Sequence, residues 1–216
     1  MNAPAPSTST LGRAPIRTLE PEHREAIERH LLALGARDRY LRFGYAAQDE
    51  QVRRYVGGLR FGTDEIFGIF NRRLQLIAMA HLAYGVSGGR ADTAEFGVSV
   101  SPHARGRGYG NQLFERTVVH ARNHGVSLLH IHALTENAAM LGIARKAGAK
   151  IVREGGESEC RLALPPADFE SHLTEMVEEQ VARTQYQFKA HAQQVRRWLG
   201  RLWCWRRCVT RSRDAA

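Results

Sequence analysis

Cysteine is scarce in this chain: three residues in 216 (Cys160, Cys204 and Cys208) are too few and too unevenly placed for a disulfide framework. The chain opens on MNAPAPSTST, which has neither a basic stretch nor an apolar run and so does not read as a secretory leader. Both observations predict a reducing, cytoplasmic setting. No apolar run reaches the ~18 residues that a membrane-crossing helix needs. Lysine is nearly missing as well, at three against 28 arginines, a ratio that Arg-favouring codons in a GC-rich genome would explain. No Gly-Lys-Ser or Gly-Lys-Thr follows a predicted strand, which excludes a P-loop. No βαβ unit opens the chain, which argues against a Rossmann dinucleotide site. Cys204 and Cys208 lie four apart, on one face if helical, but with no further ligand beside them no metal site is expected.

With 43% apolar and 25% charged residues, the composition is that of a globular chain. Basic residues outnumber acidic ones by 31 to 22, a formal charge of +9. Such a balance points to an anionic partner without naming it. Its distribution says more. Residues 166–182 carry five acids and no base, whereas residues 183–216 carry nine bases, one acid and all three tryptophans (Trp198, Trp203, Trp205). Three regions follow: a disordered tail over 1–14, a folded domain over 15–165 ended by Pro165-Pro166, and an extension over 166–216.

Periodicity sketches the domain. Ile27, Leu31 and Leu34 predict a helix over Glu20–Leu34, and a charged helix runs Gln48–Val56 up to Gly57-Gly58. Asp38–Phe43 reads only as a short segment between them. β-prone runs cover Glu65–Phe70, Leu74–Ala83 and Thr93–Val100. A helix over Tyr109–His124 stops at Gly125, a strand spans Ser127–Leu134, and a helix over Glu136–Ala147 stops at Gly148. Strands Lys150–Glu154 and Glu159–Leu164 close the domain. The order α-α-β-β-β-α-β-α-β-β predicts an α/β fold around one mixed sheet flanked by helices.

The sharpest local feature lies where the Thr93–Val100 strand leads into a helix through Arg105-Gly106-Arg107-Gly108-Tyr109-Gly110-Asn111. Glycine lets backbone approach a ligand closely. The free N–H groups and dipole of a helix's first turn attract anions, and Arg105 and Arg107 add whole charges. This is the make-up of a diphosphate cradle, although a Gly-rich strand-to-helix connection can also be no more than a tight turn.

Arg-x-x-Gly-x-Gly at Arg105, Gly108 and Gly110 resembles the acetyl-CoA loop of the GNAT N-acetyltransferases. Leu134-Thr135-Glu136-Asn137-Ala138-Ala139-Met140-Leu141 and the closing Gly148 resemble that family's second cofactor-contacting segment. Together with Ala94-Glu95-Phe96 and Arg39-Tyr40-Leu41-Arg42-Phe43, they are most similar to the acetyltransferase domain of bacterial Pat-type protein-lysine acetyltransferases. The resemblance covers about 15–165 and implies acetyl-CoA as cosubstrate, with no metal. It implies that the backbone of Val98, Ser99 and Val100 pairs with the pantetheine arm. Arg105, Gly106, Arg107, Gly108, Tyr109, Gly110 and Asn111 would surround the pyrophosphate, and Asn137 would approach from the next helix. Glu95 would be the base that deprotonates an attacking amine, and a backbone N–H near Val98 the oxyanion donor. Without the resemblance, Glu95 reads equally as a solvent-facing strand residue. Many members carry a tyrosine as proton donor where this chain has Ala144; Tyr84 and Tyr109 are possible substitutes.

The reaction so implied is acetyl transfer from acetyl-CoA to a primary amine, on protein lysine or a small molecule. The alternative is an acyl-CoA-binding sensor without turnover. His130 and His132 share a strand face, but no third metal ligand is evident beside them. In the extension, positions 177, 181, 184, 188, 191, 195, 198, 202, 205 and 209 form a largely apolar seam at coiled-coil spacing, which predicts a long amphipathic C-terminal helix. Its basic, Trp-rich end over 183–216 suits self-association or an anionic membrane surface, making the protein peripheral at the membrane, more than it suits nucleic acid.

Overall fold

The computed structural model describes residues 14–85 and 92–167. The expected N-terminal tail and C-terminal amphipathic helix lie outside the described residues. The elements are β1 (Ile16–Thr18), α1 (Arg24–Leu32), α2 (Ala36–Phe43), α3 (Asp49–Gly57), β2 (Glu65–Phe70), β3 (Leu76–Tyr84), β4 (Thr93–Val100), α4 (Tyr109–Asn123), β5 (Leu128–Leu134), α5 (Ala138–Lys146), β6 (Lys150–Glu154) and β7 (Glu157–Ala163). They build one seven-stranded sheet in the order β1-β2-β3-β4-β5-β7-β6. All its pairings are antiparallel except β4 with β5.

The mixed α/β expectation holds, with three differences of detail. The first helix begins at Arg24, behind a 3-10 turn over Pro21–His23. Glu20 and His23 cap each other across that turn, and the Glu20 N–H donates to His23 Nδ1 at 3.0 Å. Asp38–Phe43 belongs to a helix, α2, bounded by Gly35 and by Gly44 in the left-handed region. None of the residues of α2 is buried, so it leaves no apolar periodicity to read. The three-residue β1 is too short to show alternation, and it forms by pairing with Phe67–Ile69.

Period-2 alternation splits the core between the two faces of the sheet. Phe67, Leu82, Ala94, Phe96, Leu129 and Ile131 pack with Leu113 and Phe114 of α4 and Leu141 of α5. The Phe96 and Phe114 rings meet edge to face at 5.1 Å. Ile66, Phe70 and Met79 pack on the opposite face with Ile27 and Leu31 of α1 and Val52 and Val56 of α3. Each set buries its apolar side chains almost completely, and one large-to-small change there costs about 2–5 kcal/mol.

Two features open a site. The β4–β5 pairing runs only through Thr93, Ala94 and Glu95, opposite Leu128, Leu129 and His130, after which the strands part. Beyond β4, the face that carries Glu95 has only α2 above it, because α1 and α3 cover β2 and β3. α2 also reaches β5, while the helix that packs on β7 and β6, α5, lies on the opposite face of the sheet.

Candidate active site

The parting of β4 from β5 lies between two cavities of about 440 Å³ each. One is lined by Val98, Ser99, Val100, Arg105, Gly106, Gly108, Tyr109, Gly110, Asn111 and Asn137. The other is lined by Glu95–Val98, the end of α2, His132, and the acidic β6–β7 hairpin at Glu154, Glu157 and Glu159. Leu41, Arg42, Val98, Asn137 and Met140 line both, so the cavities meet across β4.

The first cavity has the make-up of an anion cradle. Gly106 and Gly108 have φ of 73° and 74°, a conformation that side chains with a Cβ rarely adopt. Gly108 is the N-cap of α4 and no side chain caps the helix. The first N–H to turn back into α4 is that of Gln112, which donates to the Gly108 carbonyl at 3.0 Å. The amides of Tyr109, Gly110 and Asn111 precede it and face the cavity end of the helix. Arg105 lies at the rim in an ion pair with Asp38 at 2.6 Å, and the Arg107 side chain is exposed outside the lining. Asn137 caps α5: its side-chain oxygen accepts from the Met140 amide at 3.2 Å and its Nδ2 donates to the Leu41 carbonyl at 3.3 Å. It therefore joins α5 to α2 at the boundary of the two cavities. These residues fit an extended ligand with a diphosphate at one end and an apolar arm along β4.

The edge of β4 is stiffened from behind. His30 of α1, 3% exposed, bridges Ser99 Oγ through Nε2 at 2.9 Å and Ser101 Oγ through Nδ1 at 3.2 Å. Burial is the main cause that pushes its pKa down to about 4, so the ring is neutral at pH 7.

In the second cavity, Glu95 lies on the face of β4 shared by Gly97 and Ser99. Glu95, Glu154 and Glu157 have no hydrogen-bond or ion-pair partner among the described residues. Glu159 is engaged: Arg161 donates to it from Nε at 2.9 Å and Nη2 at 2.7 Å, and this holds its carboxyl down to about 2. The third group that sequence spacing could not find beside His130 and His132 is Glu159, placed opposite His132 by the β5–β7 register. One ligand atom from each lies within 4.8 Å of the others, although Arg161 already claims the carboxylate.

Ala144, in the position expected of a proton-donating tyrosine, is fully buried. Tyr109 lines the first cavity, and Tyr84, opposite Ala94 at the far end of β3, lines neither. Sequence reading missed Arg42, which lies at the junction. An ideal Cβ built on Gly97 would fall 2.7–2.9 Å from its guanidinium, so the absence of a side chain there makes room for the arginine. The Arg39-Tyr40-Leu41-Arg42-Phe43 run had stood out, but only the β4 contact gives Arg42 a place.

The family described as "Acetyltransferase (GNAT) domain" matches residues 13–150, well over half of the chain. The solved GNAT domain of S. lividans PAT is 21% identical with a TM-score of 0.59, covering 69% of this chain and 89% of that one. A Salmonella typhimurium acetyltransferase-fold protein, solved with its cofactor acetyl-CoA, is 17% identical with a TM-score of 0.56, covering 72% of this chain and 96% of that one. A cAMP-binding acyltransferase from Mycobacterium smegmatis is 22% identical with a TM-score of 0.50; the alignment covers 78% of this chain but 51% of that protein. At these identities the likeness is one of fold. No curated protein matches the chain in sequence.

Proposed function

This chain belongs to the GNAT acetyltransferase family and is an acyl-CoA-dependent N-acetyltransferase; from that premise we propose that its acceptor is a cationic primary amine, protein lysine first, deprotonated by Glu95. The observation that carries this is the junction: a cradle for an acetyl-CoA diphosphate on one side of β4 meets an acidic cavity containing Glu95 on the other.

Acetyl-CoA supplies an activated acyl group on a thiol leaving group. The chain's own residues do the rest. The first-turn amides of α4 and the rim Arg105 bind the diphosphate, and the β4 backbone at Val98–Val100 aligns the pantetheine arm. The open carboxylates of Glu154 and Glu157 draw in the acceptor's positive charge. A lysine-type amine arrives protonated, since its ordinary pKa is near 10.4, and Glu95 removes the proton directly or through one water. A β4 amide near Val98 faces the carbonyl oxygen as charge builds there. The extension over 183–216 lies outside this chemistry; its apolar seam and basic end support a role in self-association or in peripheral attachment to an anionic membrane. Among the described residues no helix is long and apolar enough to cross a membrane.

The test is acetyl-CoA-dependent thiol release against a panel of lysine peptides, polyamines and amino acids. The cationic acceptors should lead the panel, and Glu95→Gln should lower kcat about a hundredfold while leaving CoA affinity intact. If the wild type binds CoA but releases no thiol above buffer with any amine, the chain is a sensor and the catalytic reading fails.

A further inference from the structure

A half-buried polar chain runs through the second face of the sheet toward the junction. Arg42 Nη2 donates to Tyr55 Oη at 2.8 Å, Tyr55 Oη lies 2.9 Å from His81 Nδ1, and His81 Nε2 lies 3.3 Å from Asp64 Oδ2. Asp64 is 6% exposed and is held in turn by Arg60 at 2.9 Å. Every link has one consistent direction: Tyr55 accepts from Arg42 and donates to His81, and His81 donates to Asp64. Burial pushes the Tyr55 phenol up and the His81 imidazole down, so both stay neutral near pH 7. The guanidinium also lies beside two rings that meet edge to face, 5.3 Å from the Phe43 ring centre and 5.4 Å from that of Tyr55. Among the described residues its buried Nε and its Nη1 have no hydrogen-bond partner. A fixed cation with donors to spare thus lies over Gly97, where the two cavities meet.

We propose that Arg42 is a catalytic residue that stabilises the negative charge passing to the CoA sulfur, and that Tyr55, His81 and Asp64 are positioning residues that hold its guanidinium at the junction. The proposal rests on the acetyltransferase reading. In that reaction Glu95 passes the first ammonium proton to solvent water, the neutral nitrogen forms a bond to the acyl carbon, the carbon–sulfur bond breaks, the electron pair leaves on sulfur, and the second nitrogen proton goes to Glu95. Ala144 offers no proton to that sulfur, and a nearby guanidinium makes the thiolate a stable product without one. Arginine keeps its charge at any working pH, so it acts by electrostatics and not by proton donation.

The experiment needs no turnover. Free CoA is bound to the protein, and its thiol is titrated by thiolate ultraviolet absorbance and by alkylation rate against pH. The bound thiol should titrate about one unit lower on the wild type than on Arg42→Gln, a tenfold difference in thiolate population near neutrality. Tyr55→Phe, which keeps the ring but loses the hydroxyl that holds Arg42, should lose part of that shift, and guanidinium ion should restore it on Arg42→Ala. Equal titration on the wild type and on both Arg42→Gln and Tyr55→Phe, with CoA still bound, would overturn the proposal. So would a loss confined to the KM of carboxylate-bearing acceptors, which would make Arg42 an acceptor clamp. A wild type that fails to bind CoA would instead overturn the acetyltransferase reading itself.

Discussion

His30 makes the fold acid-sensitive in a way that can be worked out in advance. Its pKa is near 6.5 in an unfolded chain and about 4 in the folded protein, because it is buried between Ser99 and Ser101. The unfolded state therefore binds a proton that the folded state refuses, and stability falls as pH drops from about 6.5 toward 4. Integrating between those two values, lowering the pH from 7.5 to 4.5 costs about 2.5 kcal/mol from this one group. At a urea slope of about 2 kcal/mol per molar, that moves the unfolding midpoint by about 1 M. His23 and His81 are also lowered mainly by burial and add to the total slope, so wild type must be compared with His30→Gln. The glutamine variant starts from its own stability at pH 7.5, but it should lose about 2.5 kcal/mol less than wild type over the same interval. Urea unfolding at pH 7.5 and 4.5, followed by circular dichroism, measures both. If the two proteins lose stability in parallel, within about 0.5 kcal/mol, His30 is not held neutral by burial and the account of the β4 edge is wrong.

Gly108→Ala places a Cβ at φ 74° and should cost about 1–2 kcal/mol in stability; calorimetric titration with CoA should show weakened binding beyond that, since the same residue opens the anion cradle. Glu154→Gln with Glu157→Gln should raise KM for a dibasic acceptor several-fold and leave KM for a neutral-tailed amine unchanged, because neither carboxylate has a protein partner among the described residues to disrupt. Deleting residues 183–216 should change oligomer size on a sizing column or partition onto anionic liposomes without lowering thiol release; no change in either would remove both uses proposed for that segment.

The division between what the chain discloses in sequence and what only the fold discloses follows the range of the interactions. The cradle was legible because its parts are contiguous: a strand, two glycines that need positive φ, and a helix N-terminus follow one another between Val98 and Asn111. The face that Glu95 shares with Gly97 and Ser99 follows from strand parity, but only the family resemblance singled Glu95 out. Helix α2 was not, since a helix with no buried residue carries no periodic signal. The acceptor side was not legible either, because its groups meet only through register. His132 faces Glu159 across an antiparallel pair, and the direction of β7 cannot be read from a run of residues. Arg42 is the extreme case. It gains meaning from Gly97, 55 positions later, and a glycine inside a strand announces only that something approaches. What approaches is decided by α2 crossing over β4, and the Tyr55–His81–Asp64 chain behind it draws on α3, β3 and the loop before β2. The formal charge of +9 hid this as well: a cation-rich chain still places its open carboxylates in one cavity, so the sign of the whole says little about the sign of the acceptor.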